Sequence, residues 1–234
     1  MAMDNKIKKF MEKKLDSLRF VSDSELIKIP IKDNGESMVC VKNFVPEMLI
    51  RTPKYIKDEG KIFVEQASMV RIGVAKRLKI AQGLLSRDYR LLIRSGYRSL
   101  AIQKKIYQNT FEKTKKSHPD WNLDKLKEEV SKFVAPIDIV PSHSTGGAVD
   151  VSIIGPDGKQ LDMGTRIGQD TGIEKTRTDS IKISKIACKN RKLLIRIMTT
   201  AGFINYPTEW WHWSYGDRYW AAILKKRYSI YKGI

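Results

Sequence analysis

The stretch that most constrains the fold is PSHSTGGAVDVSIIG, which runs from residue 141 to residue 155. Its first half is a loop of small polar residues and glycine, and its second half alternates as a strand that is expected to be buried. That strand carries Asp150 among apolar neighbours. A buried carboxylate needs a charged partner or a metal ion, because an unpaired buried charge is strongly destabilising. The stretch therefore predicts a core strand that presents one charged group to a partner.

The remaining segments come as clusters of helices and hairpins. Apolar residues at helical spacing and capping residues predict helices over 63–85, 100–115, 123–134 and 183–200. Alternation predicts extended segments within 25–44, at 89–95 and 148–154, towards Met163, and at 210–215. The polar, glycine-bearing residues 165–179 are expected to form a surface loop. Clusters of this kind, without strict alternation of strand and helix, favour an α+β fold over a doubly wound one.

The composition restricts the class of protein. The chain has 234 residues, Lys plus Arg is 44 and Asp plus Glu is 26, giving a net charge of +18. This balance favours anionic partners such as an acidic wall polymer or an anionic membrane surface, although a merely soluble basic surface explains it equally well. No feature predicts a specific nucleic-acid partner. A homo-oligomer is compatible with the sequence.

Cysteine usage and the N-terminus bear on the compartment. Cys40 and Cys188 are the two cysteines, and two such distant thiols form neither a disulfide framework nor a zinc knuckle. The first 20 residues are basic, with apolar residues on one helical face and no continuous apolar run. They predict a short amphipathic helix that either docks onto the domain or lies on an anionic membrane. Because neither a signal peptide nor a stretch of about 20 apolar residues is found, we expect a cytoplasmic protein.

Two distant segments together suggest a metal site. His143 precedes Asp150 in the stretch described above, and His212 lies in TEWWHW near the end of the sequence. A catalytic zinc ion has three protein ligands of these types and keeps one position open for water. Glu209, three residues before His212, is placed to act as a base on that water. Since residues three apart on a flat strand face opposite sides, Glu209 must sit at a bend, which Pro207 makes plausible.

Structural interpretations compete with each of these assignments. A lone histidine near tryptophans is more often a packed core residue, and His143 in a Ser/Thr/Gly loop could face solvent. His118, before a proline, is expected to be such a turn residue. Arg98, just past a predicted strand and a glycine turn, could reach into a cleft and stabilise an oxyanion or grip a carboxylate. A surface arginine is the commoner outcome in so basic a chain.

Five motifs, taken in order, resemble a known family. They are SGYRS (95–99), SHSTGGAVDVS (142–152), LDMGT (161–165), NRKLLIRIMTTAGF (190–203) and TEWWHW (208–213). Together they are similar to the zinc D-alanyl-D-alanine dipeptidases of the vancomycin-resistance type, within the wider group of lysostaphin-like and D-Ala-D-Ala metallopeptidases. The resemblance covers roughly residues 63–215. Residues 166–170, RIGQD, depart from the Phe-Asp pair usual in this family, which bears on the rim of the pocket.

The resemblance implies a role for each site residue. His143, Asp150 and His212 would bind one Zn²⁺ per chain, Glu209 would be the catalytic base, and Arg98 would stabilise the transition state. Asp162 and Ser142 would contact the substrate. For the metal ligands and Glu209 this agrees with the argument from residue chemistry, and the roles of Asp162 and Ser142 are expected from the resemblance.

The resemblance also implies an architecture. The family fold is a small, mostly antiparallel sheet flanked by helices, with the zinc site in a cleft on the sheet. The chain would then be a single metallopeptidase domain over 1–234, with an N-terminal extension at 1–62 and a catalytic core at 63–234.

Three functions follow, in decreasing order of support. The first is zinc-dependent hydrolysis of free D-Ala-D-Ala in a closed pocket. The second keeps the same chemistry for longer muropeptides, as a D,D-carboxypeptidase or peptidoglycan endopeptidase, which the basic surface favours. The third is a non-catalytic basic protein that binds an anionic polymer, which the presence of all four metal-site residues opposes.

Overall fold

The computed structural model describes residues 21–52, 65–136, 139–168 and 172–234. The basic amphipathic helix expected within the first 20 residues lies outside these ranges. None of the helices in the described ranges is long and apolar enough to cross a membrane.

Two sheets form the frame. The larger has five strands in the order β2-β4-β5-β7-β6, and the smaller pairs β1 with β3. In the larger sheet β2 and β4 are parallel and the other neighbours are antiparallel. The strands are β1 Met38–Cys40, β2 Leu49–Ile50, β3 Met69–Arg71, β4 Arg90–Ser95, β5 Ala148–Ile154, β6 Ile204–Asn205 and β7 His212–Ser214. The expected α+β class with a mostly antiparallel sheet is confirmed.

Helices surround the sheets. They are α1 Asp23–Leu26, α2 Val41–Phe44, α3 Ile72–Gly83, α4 Leu100–Ser117, α5 Leu123–Ser131, α6 Ile173–Thr176, α7 Lys185–Thr200 and α8 Arg218–Ile223. The caps predicted for two of them are confirmed, because Ser99 and Asn122 accept hydrogen bonds from the third residue of α4 and α5. Gly202 follows α7 with a φ of +93°, the left-handed conformation that ends helices.

The two faces of β5 have different surroundings. Every residue of β5 is buried, and Val149, Val151 and Ile153 point into the main core together with residues of α3 and α7. Successive side chains of a strand alternate between faces, so Asp150 points to the opposite side. The sheet therefore has one apolar face covered by helices and one face that presents polar groups.

Several local expectations were wrong. Residues 25–32 do not form a strand, because a capping box between Ser22 and Glu25 starts α1 and Ile31 makes a single bridge. The continuous helix expected over 63–85 is interrupted, since residues 69–71 pair with β1 and α3 begins at Ile72. Residues 63 and 64 lie outside the described ranges. The strand expected towards Met163 is reduced to one bridge between Ile154 and Gln160.

The expected surface loop at 165–179 is also only partly a surface loop. It contains the short helix α6, and the side chains of Thr176 and Thr178 are buried. Thr178 donates a hydrogen bond to Asn205, so the segment packs against the sheet.

Candidate metal centre and its cavity

Strand pairing brings two of the predicted ligands together. Asp150 of β5 lies directly opposite His212 of β7, and Val149 lies opposite Trp213. Directly opposed residues on neighbouring strands point to the same face. Val149 and Trp213 enter the core, so Asp150 and His212 meet on the other face, where both are buried.

The third predicted ligand comes from a tight turn. His143 lies in a 3₁₀ turn, Ser142–Thr145, which ends at Gly146 with a φ of +70°. The His143 Nδ1 atom lies 2.7 Å from the carbonyl oxygen of Gly96, which accepts its hydrogen and leaves Nε2 facing the sheet. The buried guanidinium of Arg71 donates from Nε to the Thr145 carbonyl at 2.9 Å and fixes the turn.

The three candidate ligand atoms converge on one point. The distance between His143 Nε2 and His212 Nδ1 is 3.2 Å, and Asp150 Oδ1 lies 3.2 Å from the first and 3.4 Å from the second. Ligands placed tetrahedrally at about 2.0–2.1 Å from a zinc ion lie about 3.3–3.4 Å from one another. Buried Asp150 Oδ1 has no hydrogen-bond partner among the described residues. Two imidazole nitrogens and this oxygen therefore fit a tetrahedral divalent metal ion, and we call the three residues the metal centre.

Charges around the metal centre suit metal binding. Arg98 donates to Asp150 Oδ2 and, from Nε, to Ser95 Oγ at 2.9 Å. Burial and the charge of Arg98 lower the pKa of His143 to about 4, so this ring is neutral at pH 7. Burial opposes ionisation of Asp150, but its contact with the His143 ring and the charge of Arg98 hold its pKa well below the usual value. Burial alone would lower the pKa of His212, but the contact with Asp150 outweighs burial. The pKa of His212 therefore lies above its ordinary value.

Glu209 lies at the bend that its position requires. The residues after Pro207 turn, and β7 begins only at His212. Glu209 Oε2 is 3.9 Å from His212 Nδ1, and burial raises the pKa of the Glu209 carboxyl to about 7. The Asn205 amide donates to the carbonyl oxygens of Glu209 and His212 at 3.1 Å and 2.9 Å. This pair of hydrogen bonds holds Glu209 and His212 in one loop.

A cavity of about 810 Å³ opens onto the metal centre, and Arg98, Ser142 and Glu209 also line it. Of the three tryptophans in TEWWHW, Trp211 lines the cavity. Trp210 and Trp213 belong to the main core, and both are fully buried. The motif therefore supplies both a cavity wall and core packing.

Of two further residues singled out in the sequence, Asp162 lies outside the cavity and His118 lines it. Asp162 is exposed, accepts hydrogen bonds from the Gly164 backbone and Ser184, and is not among the residues that line the cavity. Its part in substrate binding stays a prediction, and the geometry instead shows it organising a turn beside α7. His118 is exposed and stacks on Trp121 with ring centroids 3.8 Å apart.

Sequence reasoning missed Asn205, Arg71 and Ser95. Each is at most 5 % exposed, and each supports the metal centre through a hydrogen bond. The partner of Arg71 lies 74 residues away in the sequence, whereas those of Asn205 and Ser95 lie within seven residues. The available signal was weak: a polar residue in a short apolar segment indicates a buried hydrogen bond but does not name its partner.

Comparison with known proteins extends this picture. The sequence model of a peptidase family described as D-ala-D-ala dipeptidase matches residues 38–232, which include the metal centre, Glu209 and Arg98. A D-alanyl-D-alanine dipeptidase of Synechocystis sp. is 28% identical over 229 residues, covering 88% of this chain and 92% of that protein. The dipeptidase of Escherichia coli is 27% identical over 180 residues (77% and 80% of the two chains). That of Enterococcus faecium is 32% identical over 148 residues (61% and 68%).

Proposed function

The chain belongs to the D-Ala-D-Ala dipeptidase family of M15 metallopeptidases, and on that basis we propose that it hydrolyses the D-Ala-D-Ala peptide bond with one zinc ion held by the metal centre. The observation that carries the proposal is the convergence of two imidazole nitrogens and one carboxylate oxygen, spaced 3.2–3.4 Å apart, beside a glutamate whose side chain is only 14% exposed. Zinc fits because this donor set suits it and leaves one position open for water.

The mechanism assigns separate tasks to the residues around the metal centre. A bound zinc ion would supply Lewis acidity and a water molecule whose pKa is lowered to about 7. Glu209 takes the proton from the attacking water and returns it to the leaving amine, for which a pKa of about 7 is well matched. Arg98 adds positive charge near the oxygen that becomes anionic. The product is two molecules of D-alanine, and one water molecule is consumed.

The decisive experiment replaces the base without removing a ligand. Glu209→Gln is expected to retain zinc, measured by metal analysis, while kcat on D-Ala-D-Ala falls at least about 10²-fold, the lower bound for loss of a general base. Glu128→Gln, an exposed glutamate on α5, is the matched control and is expected to leave both quantities unchanged. A near-normal kcat for Glu209→Gln would remove Glu209 from the mechanism.

A panel of dipeptides tests the substrate. D-Ala-D-Ala and L-Ala-L-Ala are compared with and without added zinc, and the proposal expects turnover of the D,D isomer that is lost on chelation and restored by zinc. Equal rates on both isomers, or full activity of the zinc-free protein, would contradict it.

One observation favours a second candidate, the cleavage of longer muropeptides as a D,D-carboxypeptidase or endopeptidase. The cavity extends well beyond the metal centre, and residues of α4 and of the segment after α5 line it.

A further inference from the structure

The outer sides of α3 and α7 form a surface that the metal centre does not use. The two helices are in contact and cover the apolar face of the larger sheet. Asp150 and His212 point to the opposite face of that sheet. No residue of α3 or α7 lines the cavity, so their outer sides are separate from the site described above.

Positive charge is concentrated on these outer sides. Six exposed cations lie there, and they are Lys76, Lys79, Lys185, Lys189, Lys192 and Arg196. The four on α7 follow one another at intervals of four, three and four residues, so they form a row of about 16 Å along one side of the helix. Neither helix contains an acidic residue. Within the described ranges none of the six is in an ion pair. One carboxylate, that of Asp162, lies at the α7 cap Ser184 and offsets one of these charges at most.

Bulky aliphatic side chains flank the cations. Ile186 in the first turn of α7 is 66% exposed, and Ile181, shortly before that helix, is 87% exposed. On α3 Ile80 is 53% exposed, and Leu84 directly after the helix is 42% exposed. Exposed aliphatic side chains that recur on one surface indicate a contact with a membrane or another molecule. We call the six cations and these four aliphatic residues the outer helical face.

This combination of charge and aliphatic side chains suits an anionic lipid surface. Lipid phosphates attract the ammonium and guanidinium groups, and the aliphatic side chains enter the boundary between headgroups and acyl chains. A nucleic acid would match the cations alone, because its bases stack on aromatic side chains, and α3 and α7 contain none. A second copy of the same face would be repelled, since it carries the same charges.

From this surface we propose that the protein binds peripherally to membranes rich in anionic phospholipid through the outer helical face. The cavity opens elsewhere, so a membrane-bound molecule still admits a substrate from solution. Each cation close to an anionic leaflet contributes about fivefold to the affinity, and salt weakens this contribution. The inference is independent of the proposed function, because it involves neither the metal centre nor the bond that is broken.

The first test compares lipid surfaces with the full chain. Sedimentation measures binding to vesicles of phosphatidylglycerol mixed with phosphatidylcholine and to vesicles of phosphatidylcholine alone, and fluorescence anisotropy measures binding to a DNA duplex. We expect the protein to bind the anionic vesicles, less tightly as salt rises, and not to bind the neutral vesicles. If the anionic vesicles are not bound, the proposal is wrong. Tighter binding to the duplex than to the anionic vesicles at the same salt concentration would also overturn it.

Charge reversal provides the second test. Lys189→Glu combined with Lys192→Glu is expected to weaken binding to the anionic vesicles at least about 25-fold, fivefold for each cation removed. Lys115→Glu combined with Lys116→Glu, on exposed lysines of α4, changes the net charge equally and should bind nearly as the wild type does. Equal losses in both double variants would show that net charge, and not the outer helical face, attracts the protein. The first 20 residues are the same in every variant, so binding through them alone would leave both variants unchanged and contradict the proposal.

The aliphatic side chains are tested separately. Ile181→Ser combined with Ile186→Ser is expected to weaken binding to the anionic vesicles about tenfold, because less apolar surface leaves water. Ile27→Ser combined with Leu123→Ser, at positions 51% and 55% exposed outside the outer helical face, is the matched control. The midpoint of urea unfolding shows whether each variant is folded. Unchanged vesicle affinity in a folded variant lacking Ile181 and Ile186 would contradict the proposal.

Discussion

Arg98 bears on the metal centre in two ways at once. Its guanidinium donates to Asp150 Oδ2 and to Ser95, so the residue proposed to stabilise the transition state also orients a candidate metal ligand. Arg98→Ala is expected to lower kcat about 10²–10³-fold, as for loss of an oxyanion donor, and to weaken zinc binding about 10–100-fold, as for loss of a residue that orients a ligand. Zinc titration and steady-state kinetics measure the two effects.

The two roles of Arg98 are separable. Arg87→Ala, on an exposed arginine, controls for the lost charge. If zinc affinity is unchanged while kcat falls, the contact with Asp150 has no part in metal binding. A change confined to KM would instead indicate that Arg98 grips the substrate.

Asn205 is expected to position the loop that carries Glu209. Asn205→Ala removes the side-chain hydrogen bonds to the Glu209 and His212 carbonyls, which then keep only their backbone donors. Each lost hydrogen bond is expected to cost about 0.5–1.5 kcal/mol. We expect kcat to fall with KM nearly unchanged, together with a lower midpoint of urea unfolding. Asn190→Ala, which removes a comparable hydrogen bond to the Asp162 carbonyl, should lower stability only. Equal kcat in the two variants would reduce Asn205 to a structural residue.

Among single residues, the candidate metal ligands stand out in the sequence, and the residues that support them do not. His143, Asp150, Glu209 and His212 stand out because charged and imidazole groups in apolar surroundings need a partner or a metal. Asn205 and Arg71 could not be predicted, because their partners are carbonyl groups, which every residue carries. Asp162 lies in a recognisable motif, but its carboxylate accepts hydrogen bonds from the Gly164 backbone and the Ser184 hydroxyl.

At the scale of elements, Gly147 fixes the distance between the 3₁₀ turn and the sheet. A Cβ atom there would lie 2.6 Å from the backbone oxygen of Tyr215, so Gly147→Ala must move a strand or the turn. We expect a loss of about 1–3 kcal/mol in the free energy of unfolding and weaker zinc binding. Gly83→Ala at the end of α3 meets nothing within 4 Å and should leave stability unchanged or raised. Identical behaviour of the two variants in urea unfolding would contradict this account.

Helices and strands could be predicted from the sequence where their local composition and capping residues agree with their burial in the folded protein. β5 and β4 combine apolar composition with burial, and α4 and α5 begin at capping residues, so pattern alone located them. The strands β1 and β3 were not separated from their neighbours, because three-residue strands leave too short a pattern. Their pairing depends on residues some 30 positions apart, which periodicity cannot report.

For the whole molecule, metal binding should contribute to stability. The metal centre joins β5, β7 and the 3₁₀ turn, and a ligand that binds only the folded state stabilises it by about 2.7 kcal/mol at 100 times its Kd. Chelation is expected to lower the Tm and added zinc to restore it, as followed by thermal unfolding. The His143→Ala variant should show no such shift. A wild-type Tm that does not change when metal analysis confirms release of zinc would contradict the prediction.

The spacing of the metal centre along the chain sets an order of events during synthesis. His143 and His212 are 69 residues apart, and β7, which brings His212 to Asp150, is made well after β5. At about 5–20 residues per second, a growing chain carries an incomplete ligand set for several seconds. During that interval β5 can pair with β4, but its other edge stays unpaired. The Asp150 carboxylate, which is buried in the folded protein, is then exposed to water. Zinc loading is thus expected to be a late step, which follows the emergence of β7 from the ribosome and coincides with closure of the sheet.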